Sequence, residues 1–192
     1  GEWLEEHGRD YAVSPETMEQ CRWVELLEEY VHTMLGEAAD SLEQALTISR
    51  EPDGPYMYLD TLEEDKCTLE QLRAAKSLQE LYEGFAGLSF GRISSKKDTG
   101  VSPEKRERAK EIRGIVKDLL GGLAKKYFYA SPRSQAERMA ACAPYVSCLL
   151  SLTNDFRIRL DEKKREKNLL DFHDMEHMAL RILTEKREDG VY

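Results

Sequence analysis

Apolar residues spaced alternately three and four positions apart are the feature that most constrains the fold of this chain. They keep this spacing from Val24 to Ile48 and again from Met139 to Leu160. Such spacing puts side chains on one face of an α-helix, and at about 1.5 Å per residue it implies long rods. No stretch alternates apolar and polar residues between hairpin turns. The sequence therefore predicts an all-α fold, a single helical domain over residues 1–192 with two or three long helices and several short ones.

Capping residues predict where these helices begin. Ser-Pro pairs at 14–15, 102–103 and 131–132 are typical helix starts, with serine as N-cap. We expect the first long helix to run from residue 14 to about residue 50. Shorter helices are expected at 56–64, 68–75 and 77–86, the last two capped by Thr68 and Ser77. Residues 87–101 form the one long irregular segment, which predicts an exposed basic loop. Residues 3–8 are expected to form a short turn or an entry strand.

The final part of the chain predicts two further features. Asp171 is expected to cap a last helix, with Asp174 at its third position and a contact between Leu170 and Met175. Its apolar face is expected to be buried and comprises Phe172, Met175, Ala179 and Ile182. The preceding long helix carries a stripe that we expect to pack against another long helix, made of Met139, Cys142, Val146, Leu149, Thr153, Phe156 and Leu160. Pro144 should kink that helix.

Charge is distributed unevenly along the chain. The net charge is −9 overall, but residues 1–83 carry −15 and residues 84–126 carry +6. The basic block predicts contacts to DNA phosphate, since lysines beside a helix N-terminus bind phosphate without reading bases. The candidate DNA-binding residues are Arg92, Lys96, Lys97, Lys105 and Arg106. The alternatives are that Glu and Lys simply cover solvated helix faces, or that the acidic half docks a partner.

Several catalytic and metal signatures are missing from the sequence. No G-x-x-x-x-G-K-[ST] phosphate loop occurs, and Asp161-Glu162 lies in a charged helix rather than after an apolar strand. His173 and His177 are four residues apart, but the sequence H-D-M-E-H lacks the glutamate of H-E-x-x-H, and we predict no metal site. The four cysteines form no C-x-x-C pair and are read as free thiols. We therefore expect no ATPase or nuclease turnover from this chain.

The segment K-R-E-K-N-L-L-D-F-H-D-M-E-H at 164–177 resembles K-R-x-x-x-L-L-D-F-x-D-L-E-H of superfamily 1 DNA helicases. Its trailing Glu176-His177 is similar to the AddA type, the helicase–nuclease subunit of bacterial AddAB. The motif residues here are Leu170, Asp171, Phe172, Asp174, Glu176 and His177, and His173 departs from the family pattern. Weaker similarities lie at residues 3–4, 51–56 and 88–92.

The resemblance implies that this chain is the inserted helical 1B-type domain of an ATP-dependent helicase and exonuclease. Such a parent would act in double-strand break repair and recombination in the bacterial cytoplasm. Its partners would be duplex DNA and an AddB-like nuclease subunit, with no membrane. ATP and Mg²⁺ would bind elsewhere in the parent, and no cofactor is expected here. We expect the natural gene to continue past Tyr192 into an apolar strand followed by Asp-Glu and Gln-Asp. The alternative is a helical protein-interaction module that docks a partner subunit through its acidic N-terminal half.

Overall fold

Six α-helices and two short 3-10 turns make up the fold, in a computed structural model that describes residue 14 and residues 16–183, without the side chains of Glu19, His173 and Arg181. The helices are α1 (Arg22–Arg50), α2 (Leu59–Arg73), α3 (Leu78–Ala86), α4 (Pro103–Tyr127), α5 (Pro132–Glu166) and α6 (Phe172–Leu183). These residues contain no strand, which confirms the all-α class. None of these helices combines the length and apolarity needed to cross a membrane.

Two compact units, which meet in sequence at Pro144, divide the chain. The first unit comprises residues 9–143 and holds α1 to α4 with the beginning of α5. The described part of the second unit is 144–183, which holds the remainder of α5 and all of α6. The assigned helix α5 continues through Pro144. Since proline has no amide hydrogen to donate, α5 lacks one backbone hydrogen bond at this position.

In the first unit, α1 and α4 run antiparallel and build the core together with α2. The rings of Tyr30 and Tyr127 are 5.8 Å apart at one end. At the other end the Ser102 amide donates to the Asp53 carbonyl over 2.9 Å. Fully buried leucines come from four helices and are Leu35, Leu42, Leu46, Leu62, Leu69, Leu81 and Leu120. Burying each such side chain stabilises the fold by about 1.5–3 kcal/mol. The stripe predicted from the 24–48 spacing thus forms much of the core.

The long helix α1 begins at Arg22 rather than at Pro15, so the predicted start was wrong. A 3-10 turn at Met18–Gln20 precedes it, and Cys21 is extended with φ −80° and ψ 132°. Met18 and Val24 are both buried. An unbroken helix would turn these two side chains to different faces, so the extended residue between them lets both reach the core. The expectations for residues 3–8 and for Pro15 lie outside the described residues.

The segment between residues 59 and 73 is one helix, where the sequence predicted a break before Thr68. Thr68 is not a cap, because its hydroxyl donates to the Glu64 carbonyl one turn earlier over 3.0 Å. Leu62 and Leu69 are both buried and lie two turns apart on the same face. Packing of this continuous face against α1 outweighs the local capping tendency of threonine.

Serine caps at the starts of α3, α4 and α5 are confirmed. The Ser77 hydroxyl accepts from the Glu80 amide at 3.2 Å, and the Ser102 hydroxyl accepts from the Lys105 amide at 3.4 Å. At α5 the Ser131 hydroxyl accepts from the Ser134 amide at 3.3 Å. Each bond satisfies a backbone donor that has no partner within its helix, which fixes where the helix begins.

In the second unit, the turn between α5 and α6 is closely specified by its backbone. Asn168 has φ 51°, the left-handed conformation that often ends a helix. The Leu169 amide donates to the Lys164 carbonyl at 2.9 Å, and the Asn168 amide donates to the Arg165 carbonyl at 3.1 Å. These two bonds form a Schellman motif. The basic end of α5 is thereby closed by the backbone at Asn168.

The apolar faces predicted for the second unit are not buried, which corrects the expectation from sequence. Phe172 and Ile182 of α6 are each 83% exposed, and Phe156 of α5 is 66% exposed. Leu149 and Leu160 of the α5 stripe are exposed as well. Periodicity shows which side chains share a helix face, but it does not show what covers that face. Within residues 144–183 the large apolar side chains of these faces are 40 to 83% exposed.

Candidate nucleic-acid interface

The loop that joins α3 and α4, residues 87–101, is held in place by contacts with other residues of the first unit. The Arg113 guanidinium donates from Nη2 to the Gly91 carbonyl over 2.8 Å. The same guanidinium binds the Asp65 carboxylate, with Nε 2.5 Å from Oδ2, and both side chains are buried. Phe90 and Ile93 pack partly buried against the core, and Val101 is buried. The loop is irregular, but these contacts fix its backbone.

Three of the five candidate cations are exposed on this loop: Arg92, Lys96 and Lys97. The Lys96 ammonium lies 5.0 Å from the centre of the Tyr56 ring. The Tyr56 hydroxyl donates to Asp98 Oδ2 over 2.8 Å, which holds the ring beside the loop. Contact with Tyr56, and then the charge of Asp98, raises the pKa of Lys96. Lys96 is therefore a fixed positive charge at physiological pH.

The other two candidate cations, Lys105 and Arg106, begin α4 and face the same turn. Lys105 is paired with the carboxylates of Asp53 and Glu51, and these partners, Asp53 first, raise its pKa. Arg106 places Nη2 3.5 Å from the Asp98 carbonyl, while its buried Nε has no hydrogen-bond partner among the described residues. Lys96, Lys105 and Arg106 thus gather around the turn at residues 51–56.

Three residues of this arrangement were not identified from the sequence. Asp53 binds Lys105, Tyr56 contacts Lys96, and Asp98 accepts from Tyr56. The side chains that Tyr56 and Asp53 contact lie 42 and 52 residues further along the chain, a separation that local sequence patterns do not resolve. Phe90 is partly buried, with the Lys117 ammonium 5.3 Å from its ring centre. This favours core packing of Phe90 over stacking on a base.

The helicase-family motif lies in the second unit and forms a helix start rather than a catalytic group. The Asp174 amide donates to Asp171 Oδ1 at 2.9 Å, and the Asp171 amide donates to Asp174 Oδ2 at 3.0 Å. These two bonds confirm Asp171 as the N-cap and Asp174 at the third position. Leu170, Phe172, Glu176 and His177 are exposed. No group of His, Cys, Asp or Glu in the described ranges could hold a metal ion.

Lys164 joins the two carboxylates of this cap to the end of α5. Its ammonium is 2.8 Å from Asp171 Oδ2 and 2.9 Å from Asp174 Oδ2. The contact with Lys164, followed by the Asp174 amide, lowers the pKa of Asp171 to about 2. The same two carboxylates raise the pKa of Lys164. The cluster therefore fixes the corner between α5 and α6, and the motif has a structural role here.

Proteins named as the AddA subunit of ATP-dependent helicase/nuclease align with almost all of this chain. The relative from Lachnoclostridium phytofermentans is 39% identical over 195 residues, which cover 98% of the chain and 14% of the relative. The relative from Moorella thermoacetica is 35% identical over 96% of the chain and 13% of its own length. One from Clostridium perfringens is 33% identical over 98% of the chain and 15% of its own length. No protein-family model matches the chain.

The motif at residues 164–177 is similar to a segment of superfamily 1 DNA helicases. The alignments are more specific: the chain belongs to the AddA family of ATP-dependent helicase/nuclease subunits, as an internal segment. It spans 13 to 15% of the length of the relatives it matches. The resemblance noted at residues 164–177 is thereby confirmed.

Proposed function

We propose that this chain is the DNA-binding accessory domain of an ATP-dependent helicase and exonuclease, acting on broken duplex ends in recombinational repair. The observation that carries the proposal is the trio of exposed cations, Arg92, Lys96 and Lys97, on a loop fixed by the buried Arg113. A loop fixed in this way presents charge without first having to be ordered, so less conformational entropy is lost on binding. Family membership supplies the DNA substrate and the motor to which such a domain would belong.

The charged side chains of the loop are suited to contacts with backbone phosphates rather than with bases. Lysine is a compact point charge, and backbone phosphates are uniformly spaced along any duplex, so such contacts add affinity without sequence information. Phe90, the one aromatic side chain of the loop at residues 87–101, is partly buried against the core. We therefore expect this domain to hold duplex DNA regardless of sequence while the parent moves along it.

The parent polypeptide, in this proposal, binds ATP and Mg²⁺ in segments other than this chain, which contains no phosphate loop. The relatives are named as one subunit of a helicase/nuclease. The parent therefore assembles with a second subunit, an AddB-like nuclease subunit, in the bacterial cytoplasm. This chain contributes duplex binding and no ATP or nuclease chemistry.

The test is charge reversal on the loop in the full-length subunit. Lys96→Glu together with Lys97→Glu should weaken binding of a blunt duplex at least tenfold at low salt. If both lysines contact phosphate, the slope of log affinity against log salt should fall by about two, since each contact releases nearly one counterion. The measurement is fluorescence anisotropy with a labelled duplex over a range of salt concentrations.

The matched control for this pair is Arg73→Glu with Lys76→Glu, which makes the same charge change at exposed residues at and beyond the end of α2. This control should bind duplex nearly as tightly as the wild type. Equal weakening by both pairs would mean that only net charge matters. Wild-type affinity of the loop variant would exclude the loop as the contact.

A further inference from the structure

A second surface lies at the other end of the α1–α4 pair, at the start of α1. Trp23, Leu26 and Tyr30 are 42%, 47% and 43% exposed there. They follow one another at steps of three and four, so they share one side of the helix. The Tyr127 ring meets Tyr30 edge-on at 5.8 Å, which extends the apolar area onto α4. We call Trp23, Leu26, Tyr30 and Tyr127 the aromatic surface.

The helix that carries most of the aromatic surface has charges of only one sign between its ends. Arg22 and Arg50 are its terminal residues, and no lysine or arginine lies between them. Six carboxylates lie between these two arginines: Glu25, Glu28, Glu29, Glu37, Asp40 and Glu43. A helix that is merely solvated normally mixes both signs along its exposed face. On its α1 side the aromatic surface is therefore flanked by negative charge, while on its α4 side the Lys126 ammonium lies 5.0 Å from the centre of the Tyr127 ring.

Most of these carboxylates have no ion-pair partner within the described part of the chain. Glu43 is the exception, since it binds Lys66 at 2.8 Å and Arg50 at 3.4 Å. Glu25 and Glu29 are exposed one turn apart, where two like charges repel each other and weaken the helix slightly. A cation from outside the chain would relieve this repulsion.

The carboxylates on the α1 side limit what can cover the aromatic surface there. Duplex DNA and anionic lipid would both be repelled by Glu25 and Glu29. A second copy of this chain would bring the same acidic face against itself, because a two-fold contact pairs identical surfaces. A polypeptide segment that offers both lysine or arginine and an apolar side chain meets both features. Aromatic and arginine side chains are also the residues that contribute most at protein interfaces.

We propose that the aromatic surface docks a basic amphipathic segment of the second subunit of the complex. The identity of this partner rests on the proposed function, in which the chain is part of a two-subunit helicase and nuclease. The surface is distinct from the DNA-binding loop, because α1 has 29 residues and is about 44 Å long. One end of this domain would hold the partner subunit, while the other holds DNA.

A photo-crosslinking amino acid at position 26 tests the contact in the purified two-subunit complex without DNA. Crosslinks should join position 26 to a lysine- or arginine-bearing segment of the second subunit, identified by mass spectrometry of the peptides. The control places the same amino acid at the exposed Gln71 of α2, where no crosslink to the second subunit should form. Crosslinks from position 26 to its own polypeptide, or none at all, would overturn the proposal.

A charge-reversal pair provides an independent measurement. Glu25→Lys with Glu29→Lys should weaken assembly of the two subunits at least tenfold at low salt, measured by titrating one purified subunit into the other. Glu70→Lys with Glu83→Lys makes the same change at exposed residues of α2 and α3 and should assemble like the wild type. Equal affinity of both variants would contradict the docking surface. A wild-type pair that does not assemble would refute the proposed partner itself.

Discussion

At the scale of single residues, Lys164 keeps the two carboxylates at the corner between α5 and α6 in their charged form. It contacts Asp171 and Asp174 and lies at the helix end where a cation also suits the dipole. Its side chain is only 17% exposed, whereas that of Asp171 is 51% exposed. The aspartates are accordingly held in their charged form by a well-placed partner rather than by burial. In this chain, the lysine that begins the 164–177 motif thus contacts the two aspartates further along the same motif.

The pKa of Asp171 is a direct measure of this cluster. Because its folded value is lowered to about 2 from an ordinary 3.8, its contribution to stability is present above about pH 4. That contribution is lost as the pH falls from about 4 through 2. Lys164→Met should move the pKa of Asp171 back toward 3.8, as followed by NMR of the carboxyl carbon. Lys163→Met is the control, since Lys163 binds Glu166 instead. No shift in either variant would show that Lys164 does not act on Asp171.

At the scale of helices, the buried pair of Arg113 and Asp65 ties α4 to α2 and fixes the basic loop. The two side chains are 6% and 4% exposed, and Arg113 also donates to the Gly91 carbonyl. A buried pair is costly to break because the remaining charge has no partner. The pair therefore links the stability of the first unit to the position of the DNA-binding loop.

Breaking this pair should be strongly destabilising, whereas replacing it should not. Arg113→Met leaves the Asp65 carboxylate buried and unpaired, and we expect a loss of about 3–5 kcal/mol in the free energy of unfolding. Arg113→Met with Asp65→Leu should recover most of that loss, because both charges are then gone. Denaturant unfolding followed by circular dichroism measures both variants. If Arg113→Met were as stable as the wild type, the ion pair of Arg113 and Asp65 would not stabilise the fold.

The same scale shows how much of the fold could be predicted from sequence. Caps at Ser77, Ser102 and Asp171 were predicted because the donor and acceptor lie within three residues of each other. The predicted helix break before Thr68 was wrong, because packing of the continuous helix face against α1 outweighs the capping tendency of threonine. The prediction that the apolar faces of α5 and α6 are buried was wrong, because residue spacing identifies the side chains that share a face but not what packs against that face. The partners of Lys105 were missed because Asp53 lies 52 residues away.

At the scale of the whole molecule, the uneven distribution of charge along the chain is the basis for assigning the two proposed functions to different surfaces. The first 83 residues carry a net −15, and the next 43 carry +6. In the first unit six carboxylates lie between the ends of α1, while Arg92, Lys96 and Lys97 are exposed on the loop before α4. In the two proposals, the first unit binds an anionic polymer at one end and a basic protein segment at the other. The net charge of −9 conceals this division.

Lysine footprinting of the full-length protein tests the central claim most directly. The protein is treated with an amine-reactive reagent, with and without duplex DNA, and each lysine is quantified by mass spectrometry. Lys96 and Lys97 should be protected severalfold by the duplex, while the exposed Lys76 of the same unit should react equally in both samples. Equal labelling of Lys96 and Lys97 with and without saturating duplex would contradict a DNA-binding role for the loop.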